Sequence, residues 1–256
     1  MKIRLFFILL LFAFSGCAPK SPGPENLTVS AAVSLKDAFT EIGELYKTKT
    51  GRGVGFNFGA SGALQKQIET GAPVDLFASA GASQMDELAK KSLIDAATRR
   101  DFAQNTLVLI VPKDSKLNAA AFSDLTKPEF RKIAAGNPKT VPAGQYTEQV
   151  FEKINLKNEL QPKLIFAEDV RQVLDYVVRG EVDAGIVYGS DAFVAGEKVR
   201  IAATVPEASH PPIRYPLAIV RDSRQKTAAQ EFIELVLSAE GQAVLKKYGF
   251  TIVSEK

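Results

Sequence analysis

The chain has 256 residues, 46% hydrophobic and 24% charged, with 32 Lys and Arg against 29 Asp and Glu. That is length enough for two modest lobes or one large domain, and a composition too apolar for a disordered chain. Setting aside Lys2 and Arg4, which lie in an expected leader, leaves 30 of the 32 basic residues against the 29 acidic ones, with no long basic run, so nucleic acid is not an expected partner.

The N-terminus reads Lys2 and Arg4, the apolar run Leu5 to Phe14, then Ser15-Gly16-Cys17. These are the charged, apolar and small-residue parts of a secretory signal, expected over residues 1–16, and the run is too short to span a bilayer. Phe14-Ser15-Gly16-Cys17 resembles a bacterial lipobox, with Phe14 where Leu is usual. That resemblance implies lipidation of Cys17, the only cysteine of the chain, which therefore forms no intramolecular disulfide. The alternative is an ordinary signal peptide with an incidental Cys. Residues 17–26 carry Pro19, Pro22, Gly23 and Pro24 and suit an extended tether.

Beyond the tether, strand-like and helix-like segments alternate, which predicts an α/β architecture with largely parallel sheets. Leu27 to Ala31 reads as a strand and Ser34 to Tyr46 as a helix with Ser34 at its N-cap. Val54 to Phe58 is a strand, followed by a helix from Ser61 that Gly71 stops. Val74 to Ser79 is a third strand, and Ser83 with Asp86 predicts a capping box opening the next helix. Asn105 to Val111 reads as one buried strand ending at Pro112, with helices near Ser123 to Lys132 and Ala143 to Ile154. Lys163 to Phe166 leads as a strand into a helix from Asp169 that stops at Gly180. Val182 to Tyr188, Val199 to Val205 and Tyr215 to Val220 are strands, and Ala228 to Tyr248 is helix, broken near Gly241.

One internal echo stands out. Ile68-Glu69-Thr70-Gly71 followed by Val74-Asp75-Leu76-Phe77 is matched by Val177-Val178-Arg179-Gly180 followed by Val182-Asp183-Ala184-Gly185. A helix ending in Gly, then Val-Asp and a buried strand, in each half predicts two lobes of similar topology, expected as 27–104 with 213–256, and 105–212.

Four stretches rich in small residues run into amphipathic helices near Ser34, Ser61, Ala143 and Val170; none contains a Lys or Arg, and the last carries Glu168 and Asp169. Free N–H groups and the positive end of a helix dipole there suit an anion. A tetrahedral dianion only accepts hydrogen bonds, so its site must offer donors and no ionised carboxylate. Such a site penalises an anion that keeps a proton, which favours sulfate-like or molybdate-like ions over phosphate and arsenate. Ser34 and Ser61 can offer hydroxyl and backbone N–H, with plain N-capping as the competing explanation. Ala143 and Val170 can offer only backbone N–H, and on their own suit a helix start and a core face. Tyr188 ends a buried strand, where its hydroxyl can project beyond the sheet's carboxyl edge, or serve as a satisfied core tyrosine.

Six ordered segments carry a family resemblance: Ala31-Ala32-Val33-Ser34-Leu35; Ala60-Ser61-Gly62-Ala63-Leu64 continuing to Gly71-Ala72-Pro73-Val74-Asp75; Asn105-Thr106-Leu107-Val108; Val141-Pro142-Ala143-Gly144-Gln145-Tyr146; Ala167-Glu168-Asp169-Val170-Arg171; and Gly185-Ile186-Val187-Tyr188-Gly189-Ser190-Asp191. From about Leu27 to the C-terminus the chain resembles the molybdate-binding proteins of bacterial ABC importers. The resemblance implies a two-lobed type II periplasmic-binding-protein fold, with molybdate or tungstate held in the interlobe cleft by hydrogen bonds alone. It implies hydroxyl and N–H donors from Ser34 and Ser61, backbone N–H donors from Ala143 and Val170, and the Tyr188 hydroxyl, with no protein atom on the metal and no cofactor. Glu168 and Asp169 are read as flanking residues. The implied partners are a membrane permease with its ATPase and, through Cys17, the membrane. The expected place is outside the cytoplasm, in a periplasm or on the outer face of the cell membrane, as a monomer.

Two rivals stand beside this reading. A receptor of the same fold for sulfate or another small oxyanion differs in cavity size. An enzyme would have to use His210, the only histidine, set in Ser209-His210-Pro211-Pro212, and no Gly-x-Ser-x-Gly elbow is present; an enzyme is not expected.

Overall fold

The computed structural model describes residues 26–253; the expected leader, Cys17 and all of the tether except Asn26 lie outside the described residues. The described chain runs β1 (Leu27–Ala32), α1 (Lys36–Thr50), β2 (Val54–Gly59), α2 (Ser61–Glu69), β3 (Leu76–Ala78), α3 (Ala82–Lys90), β4 (Arg100–Asn105) and β5 (Leu107–Pro112). It continues β6 (Ile133–Gly136), α4 (Pro142–Lys153), α5 (Lys157–Leu160), β7 (Leu164–Ala167), α6 (Val170–Val178), β8 (Ala184–Tyr188), α7 (Gly189–Ala195) and β9 (Val199–Thr204), and ends β10 (Ile213–Ile219), α8 (Lys226–Leu237) and α9 (Ala239–Lys247).

These strands form two five-stranded sheets, ordered β2-β1-β3-β10-β4 and β7-β6-β8-β5-β9. The two orders are the same topology: β1, β2 and β3 stand where β6, β7 and β8 stand, and β10 and β4 where β5 and β9 stand. The sequence echo marks equivalent places. Gly71 and Gly180 both take the left-handed conformation, with φ of +87° and +67°, as the chain turns from helix to strand. Asp75 then accepts the Thr28 N–H at the start of β1, and Asp183 accepts the Arg131 and Lys132 N–H groups just before β6. In each sheet the repeated aspartate satisfies the neighbouring strand's opening backbone donors.

Only half of the expected parallel pairing is present. β1 is parallel to β2 and β3, and β6 to β7 and β8, but β10 runs against β3 and β4, and β5 against β8 and β9. β5 and β10 are the strands by which the chain leaves the first sheet and returns to it, with no crossover helix to restore a parallel direction. The run from Asn105 is likewise not one strand. It breaks at Thr106, with Asn105 ending β4 of the first sheet and Leu107 opening β5 of the second. A buried strand in either direction has the same apolar signature, so periodicity does not distinguish them.

Other differences are local. The region expected as helix near Ser123 to Lys132 holds only a 3-10 turn, Phe122–Thr126. Strand β4 was not anticipated as an element, its pattern being mixed in polarity. Gly81, not Ser83, caps α3, and the Ser83 hydroxyl bonds Gln84 and Gln145 instead. The last helix breaks at Ser238, whose hydroxyl accepts the Gly241 N–H; Gly241 itself is a close-packing position, where a Cβ would lie 2.1 Å from the Leu235 carbonyl oxygen.

Helices α1, α8 and α9 cover the first sheet around Phe39, Tyr46, Phe56, Phe102 and Phe232, whose rings meet at centroid distances of 5.5 to 6.3 Å. A smaller apolar cluster of Leu64, Ile68, Phe77, Met85, Leu88 and Ala218 seats α2 and α3. The second sheet is packed mainly by aliphatic side chains, and Val173 and Val177 of α6 sit over Gly185 of β8.

Candidate functional site

The three parallel strands of each sheet end at a common place. A small cavity lies there, walled by Ala32, Val33 and Ser34 at the end of β1, Gly59, Ala60 and Ser61 at the end of β2, Ala80 after β3, Val141 and Pro142 at the start of α4, Val170 at the start of α6, and Tyr188 at the end of β8. Open α/β sheets place ligands at the carboxyl ends of their strands, and here two such ends face each other. No Asp, Glu, Lys or Arg is on the wall.

Four of the five residues singled out from the sequence therefore line one cavity: Ser34, Ser61, Val170 and Tyr188. The fifth, Ala143, is fully buried one residue behind Pro142 and is not itself on the wall. Pro142 occupies the first turn of α4, where its missing N–H removes no helical bond, so the N–H of Ala143 is among the first that the helix leaves unpaired.

Neither serine caps its own helix. Ser34 lies within a 3-10 turn, Val33–Leu35, that precedes α1, and Ser61 is the first residue of α2; the cap residues Ala32 and Ala60 accept no side-chain bond. The capping explanation for these two hydroxyls is thereby removed, and both go elsewhere. The Ser61 oxygen accepts the Ala80 N–H at 3.0 Å, which leaves its own hydrogen to be donated. The Ser34 oxygen lies 3.1 Å from the Tyr215 hydroxyl oxygen. In the second lobe, by contrast, the start of α6 is capped: Asp169 accepts the Gln172 N–H, which turns its carboxylate back onto the helix.

Tyr188 ends β8 on the cavity wall, buried and with its proton engaged. The hydroxyl donates to the Ala80 carbonyl oxygen of the other lobe at 3.0 Å, so donating to an anion means turning from that oxygen. Burial holds the Tyr188 and Tyr215 hydroxyls well above their ordinary pKa, so both keep their protons.

Contacts across the cleft hold the lobes together. The Gly62 N–H donates to the Thr140 carbonyl at 2.9 Å, and Gln84 and Ser83 both reach Gln145. The Arg171 guanidinium bridges Asp37 of α1 at 2.7 Å and Asp191 of α7 at 2.6 Å. Asp191 is fully buried; burial pushes its carboxyl up to about 6, with Arg171 pulling in the opposite direction. Arg171, next in the chain to Val170 of the wall, is thus committed to two carboxylates. Asn105, Arg171 and Asp191 stand in segments that carry the family resemblance, but their roles and that of Tyr215 are not legible locally, because Asn105 and Tyr215 reach side chains 85 to 181 residues away along the chain and Arg171 reaches carboxylates 20 and 134 away.

The arrangement suits binding of an acceptor-only ligand. His210 bonds the Pro211 carbonyl and no serine. Among the described residues no group of three or more His, Cys, Asp and Glu side chains is placed to hold a metal ion, and no helix is long and apolar enough to cross a membrane.

Comparison with known proteins agrees with this geometry. The family model for bacterial extracellular solute-binding proteins matches residues 27–251. A Bacillus subtilis protein named YvgL, a candidate ABC transporter substrate-binding lipoprotein, is 41% identical over 254 residues, with 96% of each chain covered. The molybdate-binding protein ModA of Escherichia coli is 39% identical over 252 residues, with 95% of each chain covered. A solved structure, the substrate-binding domain of a candidate molybdenum ABC transporter from Clostridium difficile, superposes with a TM-score of 0.69 at 41% identity, covering 90% of this chain and all of that one.

Proposed function

Because the chain belongs to the bacterial extracellular solute-binding proteins, and within them is related to the molybdate-binding proteins, we propose that its interlobe cavity captures molybdate and delivers it to an ABC importer. The observation that carries this reading is the wall itself: a small cavity at the ends of two matching sheets, lined by hydroxyls and helix starts with no carboxylate and no cation. A fully ionised oxyanion finds only donors there, and a ligand that retains a proton finds no side-chain acceptor built to receive it.

In this reading Ser34 and Ser61 donate hydroxyl and backbone N–H, Ala143 and Val170 donate backbone N–H, and Tyr188 turns its hydroxyl from Ala80 to the anion. The lobes divide as 27–104 with 213–256, and 105–212, so neither surrounds the ion alone. Binding then requires closure, and the closed form is what a permease with its ATPase recognises. Tungstate, of the same charge and shape, is bound as well. No cofactor and no catalysis belong to the reading. The protein acts as a monomer outside the cytoplasm, held to the membrane by a lipid on Cys17; the name of the Bacillus subtilis relative supports the lipid.

Calorimetric titration of the mature protein with molybdate, tungstate, sulfate and phosphate tests the ligand. Tight binding of the first two and little of the others is expected; a preference for sulfate overturns the assignment. Labelling of the full chain with a radioactive fatty acid, present in the parent and absent in Cys17→Ser, tests the anchor.

A further inference from the structure

Asn105 sits where the chain passes from the first sheet to the second, and all four hydrogen-bonding positions of its carboxamide are used. Its oxygen accepts the N–H groups of Thr106 at 3.0 Å and Ser190 at 3.3 Å. Its nitrogen donates to the Ser190 hydroxyl oxygen at 2.8 Å and to the Tyr215 hydroxyl oxygen at 3.2 Å. The two backbone donors settle which end is oxygen, because a flipped amide would set its NH₂ against two N–H groups. Tyr215 therefore receives a hydrogen from Asn105, and its own proton needs an acceptor. The Ser34 oxygen lies within hydrogen-bond distance of that hydroxyl, at 3.1 Å, and the Tyr188 hydroxyl, which donates to Ala80, stands beside it. Burial, with the nearby Asp191 charge, keeps the phenol protonated.

We propose that Asn105 and Tyr215 are positioning residues that fix the direction of the Ser34 hydroxyl, with Tyr215 donating to Ser34 so that the Ser34 hydrogen is turned into the cavity. The relay Asn105 to Tyr215 to Ser34 does for this serine what the Ala80 N–H does for Ser61. Each hydroxyl oxygen is occupied from behind by a donor, which removes its freedom to act as an acceptor toward the ligand. Rejection of protonated oxyanions is then a property of residues that touch no ligand. This inference rests on the oxyanion reading above and names the residues that set its selectivity.

The test compares dianions of equal charge, molybdate against hydrogen phosphate, by calorimetry at about pH 8. The parent is expected to bind molybdate and to discriminate strongly against hydrogen phosphate. Tyr215→Phe frees the Ser34 oxygen to accept, and should narrow the ratio of the two affinities by roughly tenfold or more. Asn105→Asp goes further. Its carboxylate can still accept from Thr106 and Ser190 but now draws the Tyr215 proton, so Ser34 must donate to Tyr215 and present its oxygen to the cavity. Charge repulsion acts alike on both dianions, so the ratio isolates the hydrogen direction. Ser34→Ala, which loses the donor without gaining an acceptor, should weaken molybdate and leave hydrogen phosphate excluded.

If Tyr215→Phe and Asn105→Asp weaken both anions by the same factor, the residues serve only packing and the proposal is overturned. A parent that does not bind molybdate overturns the function itself, a separate outcome. Should Asn105→Asp fail to fold, Tyr215→Phe decides alone, since it keeps the ring that packs on Phe102, Tyr188 and Phe250.

Discussion

The two lobes share one sheet topology yet equip their helix starts differently. After β1 and β2 the first lobe places serines whose oxygens are bonded by groups outside their own helices, Tyr215 and the Ala80 N–H. The second lobe places Pro142-Ala143-Gly144 and a capped Asp169-Val170, which can offer an anion only backbone N–H groups, and adds Tyr188 from a strand end. The same backbone plan thus serves two purposes: in the first lobe it presents oriented hydroxyls, in the second it brings main-chain donors close. The anion-facing helix starts of the first lobe should therefore be sensitive to loss of an oxygen, and the start of α4 in the second to gain of a carbon at Gly144.

The largest effect is expected from that second half of the contrast. At Gly144 a Cβ would lie 2.1 Å from the Gly136 carbonyl oxygen, a backbone atom that cannot step aside without moving β6. Gly144→Ala should destabilise the folded protein by about 3 kcal/mol, lowering the melting temperature by about 6 to 12 °C in calorimetric scans.

Ser34→Ala and Ser61→Ala come next, each weakening molybdate binding by about 1 to 3 kcal/mol; Ser61→Ala also leaves the buried Ala80 N–H without its acceptor and lowers the melting temperature of the ligand-free protein. Calorimetry that finds molybdate bound as tightly by both variants as by the parent would falsify the assignment of the hydroxyls. Gly62→Ala separates closure from folding. Its Cβ would meet the Thr140 carbonyl oxygen at 2.6 Å across the cleft, so molybdate affinity should drop about tenfold, with the lobes held apart in solution scattering.

The pH response belongs to the second lobe. Asp191 has its carboxyl raised from 3.8 to about 6 by burial, so in that window the folded chain holds a proton that the unfolded chain has released. Its contribution to stability is full below 3.8 and is lost as pH rises through about 6. Melting temperatures of the ligand-free parent should show this decline, and Asp191→Asn should flatten it. The smallest effect is expected at Lys113 and Glu197, an exposed pair at 3.4 Å, where Lys113→Ala should change stability by no more than about 0.5 kcal/mol in chemical denaturation.

Local sequence carried the alternation of strands and helices, the glycine stops at Gly71 and Gly180, the echo that marks two matching lobes, the helix start at Ser61, and, to within one residue, those expected at Ala143 and Asp169. These follow from periodicity, caps and turn residues, which act over a few positions. The motifs around Ser34, Ser61, Val170 and Tyr188 led to residues that do meet at one cavity. Tertiary structure alone decided the rest. It split the run from Asn105 between two sheets, because a strand's apolar pattern records burial and not its direction or its sheet. It freed Ser34 from capping, because α1 begins at Lys36, and it freed Ser61, because Ala60 takes the cap position and the Ser61 oxygen turns to the Ala80 N–H. It directed the Ser34 hydroxyl through Asn105 and Tyr215, since a hydrogen's direction depends on every donor and acceptor around it, and here those come from strands 110 residues apart in the chain.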